Sequence, residues 1–186
     1  MIYHLYRDAF SEVYPYRYRL TDPSGALKLL ATWDAAETSQ PECIHFCRSN
    51  NERVGQLHWE DRGWWLGDRY NLFAETREHP QLARIEERWH LVDRLRLQLP
   101  RYRIHLMEGN RFEARGRRYG PAFYELFTLP AARDVAEESG VWLGEIVHPV
   151  SGPTYQLQTD SPLLTTAPLL LMALVVIVDL WGRHKE

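Results

Sequence analysis

The sequence predicts a mainly β protein: a closed antiparallel barrel of about twelve strands around a central hydrophobic C-terminal helix. Three observations carry this. Short β segments separated by turn residues recur at hairpin spacing through most of the chain before Asp160, a weak internal repeat. The stretch Leu163–Trp181, LLTTAPLLLMALVVIVDLW, is apolar on every side and must be enclosed. In a helix over about 166–181, Ala167–Trp181 is ~22 Å long at ~1.5 Å per residue, and tilted strands of ~6–8 residues have a similar reach. A barrel that wide cannot be filled by strand side chains alone, so the helix fills it.

The strands follow in order. Tyr14–Leu20 alternates, with Tyr16, Tyr18 and Leu20 on one face and Arg17 and Arg19 on the other. Asp22-Pro23-Ser24-Gly25 is a turn, since Pro presets φ and Gly accepts φ > 0, and Ala26–Trp33 returns. Cys43–Arg48 and Arg53–Glu60 flank Ser49-Asn50-Asn51-Glu52, whose asparagines suit the positive-φ positions of a tight hairpin. Asp68–Ala74 pairs with Leu82–Ile85, Arg101–Met107 turns at Glu108-Gly109-Asn110 into Arg111–Arg115, Tyr119–Thr128 pairs with Val141–Val147, and Pro153–Thr159 comes last. Leu82, Ile85, Trp89, Val92 and Leu95 also fit a helical face, whereas Arg94–Leu99 alternates like a strand. Pro130–Gly140 is a connection with room for a helical turn. In the final helix Leu170, Leu171, Leu174, Val175 and Val178 form the central core, Thr165 or Thr166 caps the start, and Gly182 ends it at C′.

At 186 residues the chain is expected to be a single domain over 1–186. A spanning helix needs ~20 apolar residues. Here the unbroken run is Leu169–Val178, with Thr165, Thr166 and Pro168 before it and Asp179 after it, so a C-terminal tail anchor is the weaker alternative. Tyr3, His4, Arg7 and Asp8 interrupt any N-terminal signal segment. Cys43 and Cys47 are the only cysteines and would lie ~13 Å apart on one strand, too far for a disulfide. A reducing, cytoplasmic location is therefore expected, peripheral to a membrane if the lipid reading below holds.

Catalytic motifs are scarce. There is no G-x-S-x-G, no glycine-rich phosphate loop, no CxxC and no HExxH, and no cofactor is expected. The Asn50-Asn51 hairpin places Cys43 opposite His58 and His45 opposite Gln56, so Cys43, His45 and His58 share a face. That is a candidate zinc or iron corner lacking standard ligand spacing. Trp64-Trp65 suits a bilayer interface or a ligand face, or a core position at a strand end. The stronger lead is charge. The chain's formal net charge is -3. Yet between Arg84 and Arg118 arginines outnumber acids, with Arg94, Arg96, Arg101, Arg103, Arg111, Arg115, Arg117 and Arg118 as candidate anion-binding residues. Such a segment suits anionic lipid headgroups or nucleic acid, and equally an ordinary solvated barrel face held by ion pairs. The family resemblance below raises anionic phospholipid at a membrane surface and leaves nucleic acid unfavoured.

Three stretches carry a resemblance. They are Tyr16-Arg17-Tyr18-Arg19-Leu20-Thr21-Asp22-Pro23-Ser24-Gly25; Phe112–Gly116 with Tyr124-Glu125-Leu126; and Gly144-Glu145-Ile146 with Thr154-Tyr155-Gln156-Leu157 and Leu170–Asp179. In these the chain resembles the tubby C-terminal-like superfamily, in its LURP-one-related and phospholipid-scramblase-like branch. The resemblance runs loosely over the whole chain, is strongest after Arg111, and departs at Trp89–Leu99 and Pro130–Gly140, which look like insertions. It implies a twelve-stranded barrel around a hydrophobic helix and a non-enzymatic binding role toward anionic lipid, a membrane surface or a partner protein. Neither tubby's basic headgroup motif nor the scramblase calcium segment can be placed on this sequence. The competing expectation is an enzyme with a metal or polar site at a barrel end.

Overall fold

The computed structural model describes residues 1–8, 17–32, 43–62, 67–89, 99–117, 122–129, 140–165 and 167–183. Twelve strands close into an antiparallel barrel in which each pairs with its neighbours in sequence and β1 closes on β12. They are β1 (Ile2–Asp8), β2 (Arg17–Thr21), β3 (Leu27–Thr32), β4 (Cys43–Cys47), β5 (Arg53–Glu60) and β6 (Arg69–Ala74). Then come β7 (Gln81–Arg88), β8 (Arg101–Leu106), β9 (Arg111–Gly116), β10 (Ala122–Thr128), β11 (Trp142–Val147) and β12 (Tyr155–Thr159). Two helices follow, α1 (Pro162–Thr165) and α2 (Pro168–Arg183).

Period-2 alternation decides which side chains enter the lumen. Tyr18 and Leu20, Ile44 and Phe46, Tyr70 and Leu72, Tyr102 and Ile104, Tyr124 and Leu126, and Tyr155 and Leu157 point in and are buried. The axis of the barrel is α2, where Leu170, Leu171, Met172, Ala173, Leu174, Val175, Val176, Ile177 and Val178 are all buried, so every side of the helix is covered by strands. Among the described residues no helix is long and apolar enough to cross a membrane. The helix packs directly on Gly55 of β5: a Cβ there would lie 2.8 Å from both Leu169 Cδ2 and the Phe73 carbonyl oxygen.

Local chemistry sets the hairpins. Asp22 Oδ1 accepts from the Ser24 and Ala26 amides, both at 3.0 Å, and Gly25 takes φ +83°. The Ser24 hydroxyl and Lys28 together hold the Asp22 carboxyl far below its ordinary range. In the β4–β5 turn Asn51 takes φ 62° and Asn50 Oδ1 accepts from the Glu52 amide.

Several expectations change. Ile2–Asp8 is a strand that sequence reasoning left unassigned; it closes the barrel between β2 and β12. Leu82 and Ile85 belong to a strand, β7, and do not form a helical face, because β6 and β8 hydrogen-bond it on both edges. The Thr165 hydroxyl donates to the Pro162 carbonyl within α1 and does not cap α2. Gly182 lies within α2, which continues to Arg183. Thr166, residues 90–98 and 130–139 fall outside the described residues.

Candidate functional site: the outer face of β7–β9

The strands present three parallel rows of charge on the outside. The middle row runs Arg69–Glu86–Arg103–Glu113 across β6 to β9, residues directly opposite one another in register. It is self-neutralising. Glu86 accepts from Arg88 Nη2 at 2.6 Å and lies 3.5 Å from Arg69 Nε. Glu113 lies 2.7 Å from Arg115 Nε and 3.5 Å from Arg103 Nε. Burial pushes the Glu86 carboxyl up, but Arg88, Arg62 and Arg69 outweigh it and hold it below its ordinary value.

The flanking rows differ. On one side Arg88 stands opposite Arg101, and Arg101 opposite Arg115; Arg115 sits 4.7 Å over the Phe127 ring and reaches Glu113. On the other side Arg84, His105 and Arg111 are consecutive cross-strand partners. No acid interrupts them, and neither Arg84 nor Arg111 forms an ion pair among the described residues. Arg84 and Arg111 stand two strands apart on either side of His105, ~10 Å at the usual strand spacing, with no acid on the row between them. His105 registers this field: burial lowers its pKa, and Arg111, Arg84 and Arg103 lower it further against the pull of Glu86. The imidazole is therefore neutral near pH 7 between two cations.

Of the expected anion-binding residues, the fold brings Arg101, Arg103, Arg111 and Arg115 onto one face. It commits Arg103 and Arg115 to Glu113, and Arg117 to Glu125 at 2.6 Å. Arg94, Arg96 and Arg118 lie outside the described residues, as do Trp64 and Trp65. Arg84 and His105 gain weight that composition alone could not assign; the signal was their place on the outward alternate positions of β7 and β8, opposite each other in register.

Cys43, His45 and His58 do converge, on the outside of β4 and β5. Cys43 Sγ is 3.8 Å from His58 Nε2 and 3.9 Å from His45 Nε2. Burial, with Glu75 nearby, raises the Cys43 thiol pKa against the opposing Arg53, so it is neither ionised nor nucleophilic at neutral pH. Among the described residues no group of three or more His, Cys, Asp and Glu side chains is placed to hold a metal ion.

A second polar cluster was not anticipated. At the barrel end where α2 finishes, the Asp68 carboxyl lies half-buried among Glu87, Asp61, Trp59 and Tyr70. The Glu87 carboxylate accepts from the Asp68 amide at 3.2 Å and from Trp89 Nε1 at 2.6 Å. Burial, then Glu87 and Asp61, push the Asp68 pKa up to about 6. The unfolded value is ~3.9, so stability from this group is present below about pH 4 and is lost as pH rises through 6. Asp68→Asn is therefore expected to stabilise the chain at pH 7.5 by ~1–2 kcal/mol, after discounting for partial solvent screening, and by almost nothing at pH 4. Denaturant melts at both pH values check this; equal differences at the two would sink it.

No protein-family profile matches the chain, and no curated protein matches it in sequence. Among solved structures, the X-ray structure of a protein from Arabidopsis thaliana is similar to it, with a TM-score of 0.58 and 13% identity, covering 98% of this chain and 91% of that one. At that identity the likeness is one of fold alone.

Proposed function

We propose that the chain is a non-enzymatic binding protein that docks on anionic phospholipid surfaces through the outer face of β7–β9. The observation that carries this is the uninterrupted basic row Arg84–His105–Arg111, left unneutralised beside a row in which every charge is matched. Guanidinium forks suit phosphate oxygens, and a bound phosphodiester would relieve the repulsion across the row. The motif resemblance to the LURP-one-related and scramblase-like branch of the tubby-like proteins points the same way. Free cysteines on the outer wall fit a reducing compartment and a place at the cytoplasmic face of a membrane.

Arg84→Glu with Arg111→Glu is expected to lower cosedimentation with phosphatidylserine vesicles more than tenfold, at ~1 kcal/mol for each basic residue near an anionic surface. Wild-type binding should weaken as salt rises toward a Debye length of ~3 Å at 1 M. Inorganic phosphate should raise the His105 pKa, read from its ring proton resonances. Unchanged vesicle binding by the double reversal would remove this face as the site.

A further inference from the structure

We infer that the barrel docks end-on, with Leu82, Met107 and Trp142 entering the interfacial zone of the anionic bilayer; this rests on the basic-row reading above. Each odd strand begins, and each even strand finishes, at the barrel end where α2 enters. Among the described residues the exposed large apolar side chains are Met1, Leu82, Met107, Val141, Trp142, Leu163 and Val150. All but Val150 lie at that end: Met1 opens β1, Leu82 is near the start of β7, Met107 follows β8, Val141 and Trp142 open β11, and Leu163 follows β12. Single exposed apolar residues are ordinary on a protein surface; their segregation to one rim is not.

The geometry ties this rim to the basic row. The Met107 amide donates to the Leu82 carbonyl at 3.1 Å, so the two residues sit side by side. Leu82 is two residues from Arg84 on β7, and Met107 is two residues from His105, so all four share the outer face. The apolar pair is thus one step nearer the rim than the cations. Headgroup phosphates at the level of Arg84 and Arg111 would leave Leu82 and Met107 at the depth of the glycerol and upper acyl region. Trp142, opposite Phe127 on β11 and 44% exposed, belongs to the residue type that prefers this zone. The β2–β3 and β4–β5 turns on the same end carry Asp22, Ser24, Asn50 and Glu52, and the β6–β7 and β8–β9 turns carry exposed Glu78 and Glu108. The inserted side is therefore set by Leu82, Met107 and Trp142 and the cations beside them, with the turn carboxylates left at the headgroup level.

The test places an environment-sensitive fluorophore at Met107→Cys, Trp142→Cys or Val150→Cys in a Cys43→Ser, Cys47→Ser background, with phosphatidylserine/phosphatidylcholine vesicles. Labels at 107 and 142 should shift to the emission of an apolar surrounding, and the label at 150 should not. In the chain with its native cysteines, vesicles with brominated acyl chains should quench wild-type tryptophan emission, and Trp142→Phe should lose much of that quenching. Leu82→Ser with Met107→Ser should weaken binding about tenfold while leaving its salt dependence intact. Vesicle binding with aqueous labels at 107 and 142 would overturn end-on insertion and leave the basic-row reading standing. No vesicle binding by wild type would overturn both. A shift at 107 that grows with protein concentration without vesicles would assign the rim to a second copy of the chain and overturn the proposal.

Discussion

Truncation after Asp160 is expected to abolish folding. The strands would still carry their alternating pattern, but the inward faces of all twelve would lose the helix they pack against, and the lumen would open to water. The apolar face of α2 is buried around its whole circumference from Leu170 to Val178. Leu174, 2% exposed at mid-helix, reports the same dependence by point substitution. Leu174→Ala removes buried methylenes and leaves a cavity in a wall that cannot collapse without breaking strand pairing, a cost of ~2–5 kcal/mol. Leu174→Asp adds an unpaired buried charge and should leave no folded protein at neutral pH. Thermal melts decide this: a cooperative transition for residues Met1–Asp160 close to that of the full chain would show that the helix is not the core.

The second large effect is expected at Asp179, where α2 meets the far end of the barrel. Its carboxylate accepts from the Tyr18 hydroxyl at 2.5 Å and the Tyr155 hydroxyl at 3.1 Å, and Arg7 Nη1 lies 3.3 Å away. These partners come from β1, β2 and β12, the strands where the barrel closes. Tyr18 is fully buried and Tyr155 nearly so, and neither phenol can turn to water if the carboxylate is lost. Arg7 is partly exposed and can, so the tyrosines dominate the cost. Asp179→Ala is expected to destabilise by ~2–5 kcal/mol from stranded buried donors and lost volume. Asp179→Asn keeps an acceptor and should cost less than half as much. Denaturant unfolding of the two variants checks the order; an alanine variant within ~0.5 kcal/mol of wild type would mean the cluster does not lock the helix.

Asp179 also shows the limit of a linear reading. In the sequence it is the acid that stops an apolar run, equally consistent with a membrane anchor's edge and a barrel plug's end. Only the arrival of Tyr18, Tyr155 and Arg7 from strands more than a hundred residues away, or in the case of Tyr155 from the strand just before, makes it a buried lock. Asp68 and Glu87 are a similar case. Each looks like an ordinary surface acid beside a strand, and their mutual proximity follows from β6–β7 pairing.

Alternation, turn chemistry and one all-round apolar run determined the architecture without tertiary information. Period-2 patterning names the inward residues, Asp-Pro-Ser-Gly and Ser-Asn-Asn-Glu set two hairpins, and an apolar helix of the right length needs a barrel to enclose it. These are local properties, decided by backbone sterics and by burial of nearest neighbours. The first strand escaped because its partners, β2 and β12, include the most distant strand of the chain. The functional surface escaped for a related reason. Charge counting found an arginine excess, but which arginines are neutralised depends on cross-strand register, where a shift of two residues would exchange Glu86 for Arg84 opposite Arg103. Pairing matched Arg103 and Arg115 with Glu113 and left Arg84, His105 and Arg111 together, and strand direction gathered scattered apolar residues on one rim. Electrostatic and interfacial properties depend on distances between strands, and those distances exist only once the barrel has closed.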